Sequence, residues 1–254
     1  MRKRCKENCK EKKIIDEILS YVGECTKHCP RQIMVEWSLF KHIKSTGSWQ
    51  QVLDLQSKTM SNISSFSFVL RNKVLEAGTR YVIRMSAWNT EGGAKGLTEH
   101  QFTTSIPPYG GFCTASPNEG VALDTFFSIR CYNWTMETEP ATYKFGYVDV
   151  YTDLKDILYV ASDPEASVQL PAGHPDRSMV LELSVTVQDY NGLQTSVNVP
   201  TTVQPRKINS SEVTRLILAN NSKLDFYIQS GDINAASELV SGFVSILNYE
   251  ATMN

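Results

Sequence analysis

Residues 179–187 read Met-Val-Leu-Glu-Leu-Ser-Val-Thr-Val, apolar at every odd position and polar at every even one after Val180. A helix would spread that pattern around its circumference, whereas an extended chain sorts it into one buried and one wetted face. Asp189-Tyr-Asn-Gly192 then turns the chain into a partner strand over 194–203. The same alternation recurs upstream. Val35, Trp37 and Leu39 share a face in 34–40, Phe66 and Phe68 in 65–70, and Tyr81, Ile83, Met85 and Ala87 in 81–88. A Gly-rich loop after Asn89 leads into 97–104, and poorer strands are expected at 14–24 and 52–55. Ile106-Pro-Pro-Tyr-Gly-Gly111 interrupts the pattern, as a domain boundary would. It restarts in short segments at 112–116, 125–131, 142–150, 157–160 and 167–170. Short strands with turns every ~8–12 residues predict a β-sandwich. Two sandwiches in series are expected, over 1–106 and 107–205.

The character changes after Gln204-Pro-Arg-Lys207. Asn209 with Glu212 three residues on resembles a capped helix start, and Asp232 can cap a second helix. In that helix Ile233, Ala236, Val240, Phe243, Val244 and Leu247 form an apolar stripe, predicted to dock on a core. Two short helices cannot build a core alone. Residues 206–254 are therefore expected to pack on the sandwich or to lead into a downstream domain outside this sequence.

Charge and hydropathy restrict the function classes. Twenty-five basic against 27 acidic side chains give a net charge of -2, which argues against a dedicated nucleic-acid binder. The basic residues of 1–13 are interrupted by Glu7 and Glu11, and a solvated terminal arm is expected there. No run approaches the ~18 apolar residues of a membrane-spanning helix. No apolar stretch follows the basic start closely enough to serve as a secretory signal.

The cysteines and sequons point to another compartment. Cys113 and Cys131 flank a turn-like segment, as neighbouring strands would, and are expected to pair. Cys5, Cys9, Cys25 and Cys29 read C-x3-C twice. That spacing leaves open two disulfides, free thiols or a zinc site, although zinc knuckles usually use other spacings. Asn62, Asn133, Asn209 and Asn220 each open an N-x-[S/T] sequon. Sequons beside paired cysteines favour an extracellular setting.

Leu75-Glu-Ala-Gly-Thr-Arg-Tyr81 resembles the penultimate strand of a fibronectin type III or polycystic-kidney-disease-repeat sandwich, where Leu75 and Tyr81 would form a tyrosine corner. Pro107-Pro-Tyr-Gly-Gly-Phe-Cys113, Ser116-Pro-Asn-Glu-Gly120, Cys131-Tyr-Asn-Trp134 and Tyr143-Lys-Phe145 resemble the receptor-for-egg-jelly (REJ) module of the polycystin family. The leading cysteines and Trp37-Ser-Leu39 fit the start of that module. The resemblance covers about 1–205 and departs from the family in the sparser acidic run after Trp134. It implies a mainly β chain of two tandem immunoglobulin/fibronectin-III-like sandwiches with a short C-terminal helical segment. It further implies a non-enzymatic extracellular segment of a membrane protein of the plasma or ciliary membrane, binding ligand or transmitting force. The absent secretory signal then fits a fragment. Expected partners are other extracellular domains of the same chain and protein or carbohydrate ligands. Nucleic acid is not expected, and membrane contact would come only through flanking segments.

Catalytic signals are poor. His28, His42, His100 and His174 are scattered, without H-E-x-x-H or G-x-S-x-G. His174 lies near Asp176 in a loop, where surface decoration is the expected role. Asp149, Asp153 and Asp156 match no EF-hand spacing. No cofactor is expected. The competing reading is an intracellular zinc-stabilised β-sandwich adaptor held by Cys5, Cys9, Cys25 and Cys29. Trp49 and Trp88 lie off the inward register of their strands, consistent with a binding edge or with domain packing.

Overall fold

A computed structural model describes residues 2–25, 33–90, 95–148 and 155–253. The chain divides into two compact units, Met1–Pro107 and Pro108–Asn254.

The first unit contains β1 (Arg2–Glu7), β2 (Lys12–Lys13), β3 (Leu19–Glu24), β4 (Ile33–Ile43), β5 (Ser48–Gln51), the short helix α1 (Leu55–Lys58), β6 (Ser67–Leu70), β7 (Arg80–Asn89) and β8 (Gly96–Thr104). They form two sheets, ordered β1-β3-β6 and β2-β8-β7-β4-β5. The inward-facing residues are those marked by the alternation. Trp37, Leu39, Phe68, Ile83 and Met85 are all buried, and the Trp37 indole packs on Phe68 with ring centroids 5.3 Å apart. Burying one such side chain contributes about 1.5–3 kcal/mol, so this apolar interior holds the two sheets together.

The second unit repeats the plan with β9 (Phe112–Ser116), β10 (Glu119–Val121), β11 (Phe126–Tyr132), β12 (Thr142–Val148), β13 (Lys155–Ala161), β14 (Glu165–Gln169), β15 (Val180–Gln188) and β16 (Gln194–Gln204). Its sheets are ordered β14-β11-β9 and β10-β16-β15-β12-β13. In both units the leading segment splits. Its first part (β1, β9) pairs antiparallel in the three-stranded sheet, and its second (β2, β10) runs parallel to the last strand. The mainly β, immunoglobulin/fibronectin-III-like class is thus built twice. Phe127, Ile129, Phe145, Leu183, Val185 and Val187 fill the second core.

Three expectations need correction. The basic N-terminus is not a free arm, because 2–7 pair with β3. Residues 52–55 are not a strand. The strand ends at Gln51, with one further bond from the Val52 N–H to Leu39, before Asp54 takes φ 50° and Leu55 opens α1. Within 14–24 only Leu19–Glu24 is extended. Of the strand expected at 142–150, Thr142–Val148 is β12 and the last two positions lie outside the described residues.

The C-terminal segment contains α2 (Ser210–Val213), a wide turn at Thr214–Leu218, α3 (Lys223–Ser230) and α4 (Ile233–Met253). Asn209 Oδ1 accepts the Glu212 N–H, and Asp232 Oδ1 accepts the Ala235 N–H, so both cap residues cap. Leu216, Leu239 and Ile246 enter the core of the second sandwich, so this segment shares that core. The docking stripe differs from the expected one. Of the expected stripe Ala236 is buried and Phe243 half-buried, whereas Ile233, Val240, Val244 and Leu247 are exposed, and Leu239 and Ile246 are buried in their place. Gly242 lies on the buried face against Leu123, where a Cβ would come within 2.2 Å of Leu123 Cδ2. The helix also covers the free edge of β14. The Glu238 carboxylate accepts the Gln169 N–H at 2.9 Å, and the Ser245 hydroxyl accepts the Ala172 N–H at 2.8 Å. Bare edge amides invite pairing with other chains; Glu238 satisfies one at the end of β14, and Ser245 satisfies another in the segment that follows it.

Candidate interaction surface

The Gly-Gly-Phe-Cys and Cys-Tyr-Asn-Trp runs meet in the three-stranded sheet of the second unit. Cys113 stands opposite Cys131 in register, their Cα atoms 4.0 Å apart, and the two are joined by a disulfide. Because both sulfurs sit on the inner side, alternation turns their neighbours outward. Phe112 and Tyr132 form the next register pair, with centroids 5.4 Å apart and exposures of 49% and 41%. Phe126, at the other end of β11, is 62% exposed. The Arg130 guanidinium pairs with Glu165 at 2.8 Å between these aromatics.

Trp134 explains Gly111. Its indole covers Gly111, where a Cβ would come within 2.3 Å of the ring. The following Thr135 exchanges both backbone hydrogen bonds with Tyr109. This bridge clasps the segment that enters the domain to the segment that leaves β11. Trp134 Nε1 is buried without a hydrogen-bond partner. Between Tyr132 and Trp134, Asn133 adopts φ 58°, a left-handed conformation that Asn tolerates better than most residues. Its side chain is exposed, as are those of Asn62, Asn209 and Asn220.

In the first unit, Leu75 and Tyr81 are buried at 7% and 2%, and the Tyr81 hydroxyl accepts the Glu76 N–H at 3.0 Å. That is tyrosine-corner geometry. It fixes the entry of β7, and burial pushes the phenol pKa up. Cys5 bonds to Cys9 with Cα atoms 5.8 Å apart. Neither sulfur is then a thiolate, which removes two of the four ligands of the zinc reading. Cys25 carries no free thiol, and Cys29 lies outside the described residues.

The remaining candidates do not converge on chemistry. His174 Nδ1 accepts the Asp176 N–H and caps the short turn Pro175–Arg177, a structural task. His42 packs edge-on against Trp49, and His100 lies between Tyr21 and Phe102. Asp156 is an exposed residue of β13, while Asp149, Asp153 and His28 lie outside the described residues. Among the described residues no group of His, Cys, Asp or Glu could hold a metal ion. Beneath α4 a half-open cavity of about 370 Å³ is lined by Tyr147, Ala172, Leu181, Val240 and Val244. Trp88 is half-buried, with the Lys95 ammonium 4.9 Å from its ring centroid. Trp49 remains 41% exposed. The denser group of exposed aromatics is the one on β9 and β11, which sequence reading passed over. The signal was present, since paired inward cysteines require their sequence neighbours to face out.

The profile of the REJ domain matches residues 2–241. The chain belongs to the REJ domain family. It is 26% identical over 268 residues to the Polycystin family receptor for egg jelly of Homo sapiens. That match takes in 96% of this REJ chain but only 11% of the human protein, so the chain spans about a ninth of that relative's length. Solved structures similar to it include the FN1–FN3 domains of chicken CNTN1, at 14% identity over 82% of this chain and 67% of that one, with a TM-score of 0.30. A Ca2+-stabilized adhesin of an Antarctic bacterium matches at 12% identity over 80% of this chain and 48% of that one, with a TM-score of 0.38. Among the described residues no helix is long and apolar enough to cross a membrane.

Proposed function

We propose that this REJ chain is a non-enzymatic extracellular segment of a polycystin-family membrane protein. It acts there as a disulfide-pinned spacer and interaction module that presents a surface to ligand or passes force along the chain. The observation that carries this reading is the Cys113–Cys131 bond, made in register between two adjacent strands. Such bonds persist in oxidising compartments. Cys5–Cys9 adds a second, and four exposed sequon asparagines suit the same setting. The partners it implies are neighbouring domains of the longer protein and protein or carbohydrate ligands at the exposed sheet faces. Membrane attachment would lie in flanking segments.

The test is intact mass after secretion from animal cells behind an added signal peptide, with thiols alkylated before and after reduction. Alkylation of Cys113 and Cys131 only after reduction supports the reading. Free thiols at both positions in the secreted protein, or a stoichiometric zinc ion, would overturn it.

A further inference from the structure

We infer that Asn133 is an N-glycosylation site whose first sugar packs on the Phe112–Tyr132 ring pair, so that the protein's own glycan covers this exposed aromatic pair. This rests on the extracellular reading above.

Four observations meet at this point. Asn133 is exposed and directly follows Tyr132, at the end of β11. Tyr132 and Phe112 form a cross-strand pair, and Tyr109, bridged to Thr135, is a third exposed ring at 51%. Asn133 therefore adjoins Tyr132 directly, and the pairings of Tyr132 and Thr135 bring Phe112 and Tyr109 to the neighbouring strand positions, whereas no exposed aromatic ring flanks Asn209 as nearest neighbour. Thr135, the hydroxyl residue of the sequon, is itself exposed. By contrast Ser222, which serves Asn220, is 1% exposed, and its hydroxyl accepts the Asp225 N–H as a helix cap. Lastly, the left-handed backbone at Asn133 takes the chain out of the strand immediately after the aromatic pair.

The chemistry of the occupant follows. In the transfer, Asn133 Nδ2 forms a bond to C1 of N-acetylglucosamine. The C1–O bond to a polyprenyl diphosphate carrier breaks, the diphosphate leaves with its electron pair, and Nδ2 gives up one proton. A pyranose presents one face of C–H bonds, which carry a small positive charge. The faces of Phe and Tyr rings carry the negative side of a quadrupole. A sugar tethered next to Tyr132 reaches Phe112 one strand spacing away, about 4.8 Å. Because the sugar is attached to the surface it covers, it loses little freedom on packing, and the contact needs no free ligand. An aromatic patch left bare would invite association with other molecules.

The experiment secretes the full chain from glycosylating cells and maps each sequon by glycopeptide mass spectrometry. Melting temperatures are then compared for wild type, T135A, F112A and the double variant. T135A removes the sequon while leaving Asn133 in its left-handed conformation. Occupancy at Asn133 with a Tm about 2–4 °C above that of T135A, shrinking by half or more in the F112A background, supports the inference. Trimming wild type to a single N-acetylglucosamine should retain the gain, since only the first sugar touches the rings. Occupied Asn62, Asn209 or Asn220 beside an empty Asn133 would overturn it while leaving the extracellular reading intact. So would an equal Tm gain with and without Phe112. Failure of secretion with every sequon empty would overturn both.

Discussion

The two sandwiches have the same strand plan but treat one position differently. On the first strand of each, a cysteine faces the neighbouring strand. In the second unit Cys113 faces Cys131 and bonds to it. In the first unit Cys5 faces Tyr21, and Cys5 turns back to bond Cys9 within its own segment. The second unit ties two strands together covalently, closing a loop worth about 3 kcal/mol in the chain-entropy model. The first fills the same place with a buried ring. A second exchange runs the other way. Tyr81 enters β7 in the first unit and hydrogen-bonds Glu76, whereas Leu181 enters β15 in the second and offers no hydroxyl. There the corner is held by the backbone, with the Gly173 N–H donating to Val203 and the Val203 N–H to Met179. One topology is therefore pinned by different chemistry at corresponding points. The second unit adds a helix that finishes its core.

The helix gives the largest expected difference between them. Leu239→Ala empties a 3%-exposed position where α4 enters the second core, at a cost of about 2–5 kcal/mol. Amide exchange followed by mass spectrometry should then quicken in β12, β15 and β14, while β4 and β7 keep the wild-type rate. Equal acceleration in both sets would mean that α4 is not private to the second unit.

What the sequence disclosed follows the same physics. Strands buried on one face announce themselves by alternation, so β7, β8 and β15 were legible within a residue or two, and β4 to within three. Strand β1 was not, because Arg2-Lys3-Arg4-Cys5-Lys6-Glu7 carries no apolar period. It is an edge strand held by backbone bonds to β3, and charge on an edge is how sheets avoid further pairing. The α4 face was misread for a different reason. Apolar counting favours Val240 and Val244, whereas the buried face includes Gly242, which leaves room for Leu123 and contributes no hydrophobicity of its own. The outward aromatics Phe112 and Tyr132 escaped notice because outward facing was sought only at Trp49 and Trp88, although the inward Cys113–Cys131 pair turns Phe112 and Tyr132 out. The tyrosine corner was legible because Leu75 and Tyr81 must both be buried for the hydroxyl to reach the upstream chain.

Two buried tyrosines sharpen the contrast at smaller scale. Tyr81 and Tyr21 are each 2% exposed, but only Tyr81 has a partner for its hydroxyl. Burial pushes the Tyr21 phenol pKa up to about 12. Tyr81→Phe removes a hydrogen bond and should cost about 1 kcal/mol in denaturant unfolding of the first unit. Tyr21→Phe removes an unsatisfied buried hydroxyl and should be neutral or stabilising by up to about 1 kcal/mol. If Tyr21→Phe destabilises as much as Tyr81→Phe, the Tyr21 hydroxyl has a partner in solution, and the ring is more than a filler opposite Cys5.

The smallest expected effect is a difference in how the units answer to acid. His100 faces inward on β8, its ring 5.8 Å from Tyr21 and 6.1 Å from Phe102. Burial, with the ammonium groups of Lys3 on β1 and Lys13 on β2, holds its pKa below the ordinary histidine value. The unfolded chain therefore takes up this proton before the folded one does. The stability that neutral His100 supports is present above about pH 6.5 and is lost as pH falls through the lower folded value. In the second unit Glu238 behaves with the opposite sign. Burial raises its carboxyl pKa, so its contribution is present in acid and lost as pH rises through the raised folded value. Scanning calorimetry at pH 7.5 and 5.5 should show the first unit's transition moving down, and His100→Gln should flatten that shift without altering the second unit's. A shift that survives His100→Gln would place the acid sensitivity elsewhere and remove His100 from the list of differences between the two sandwiches.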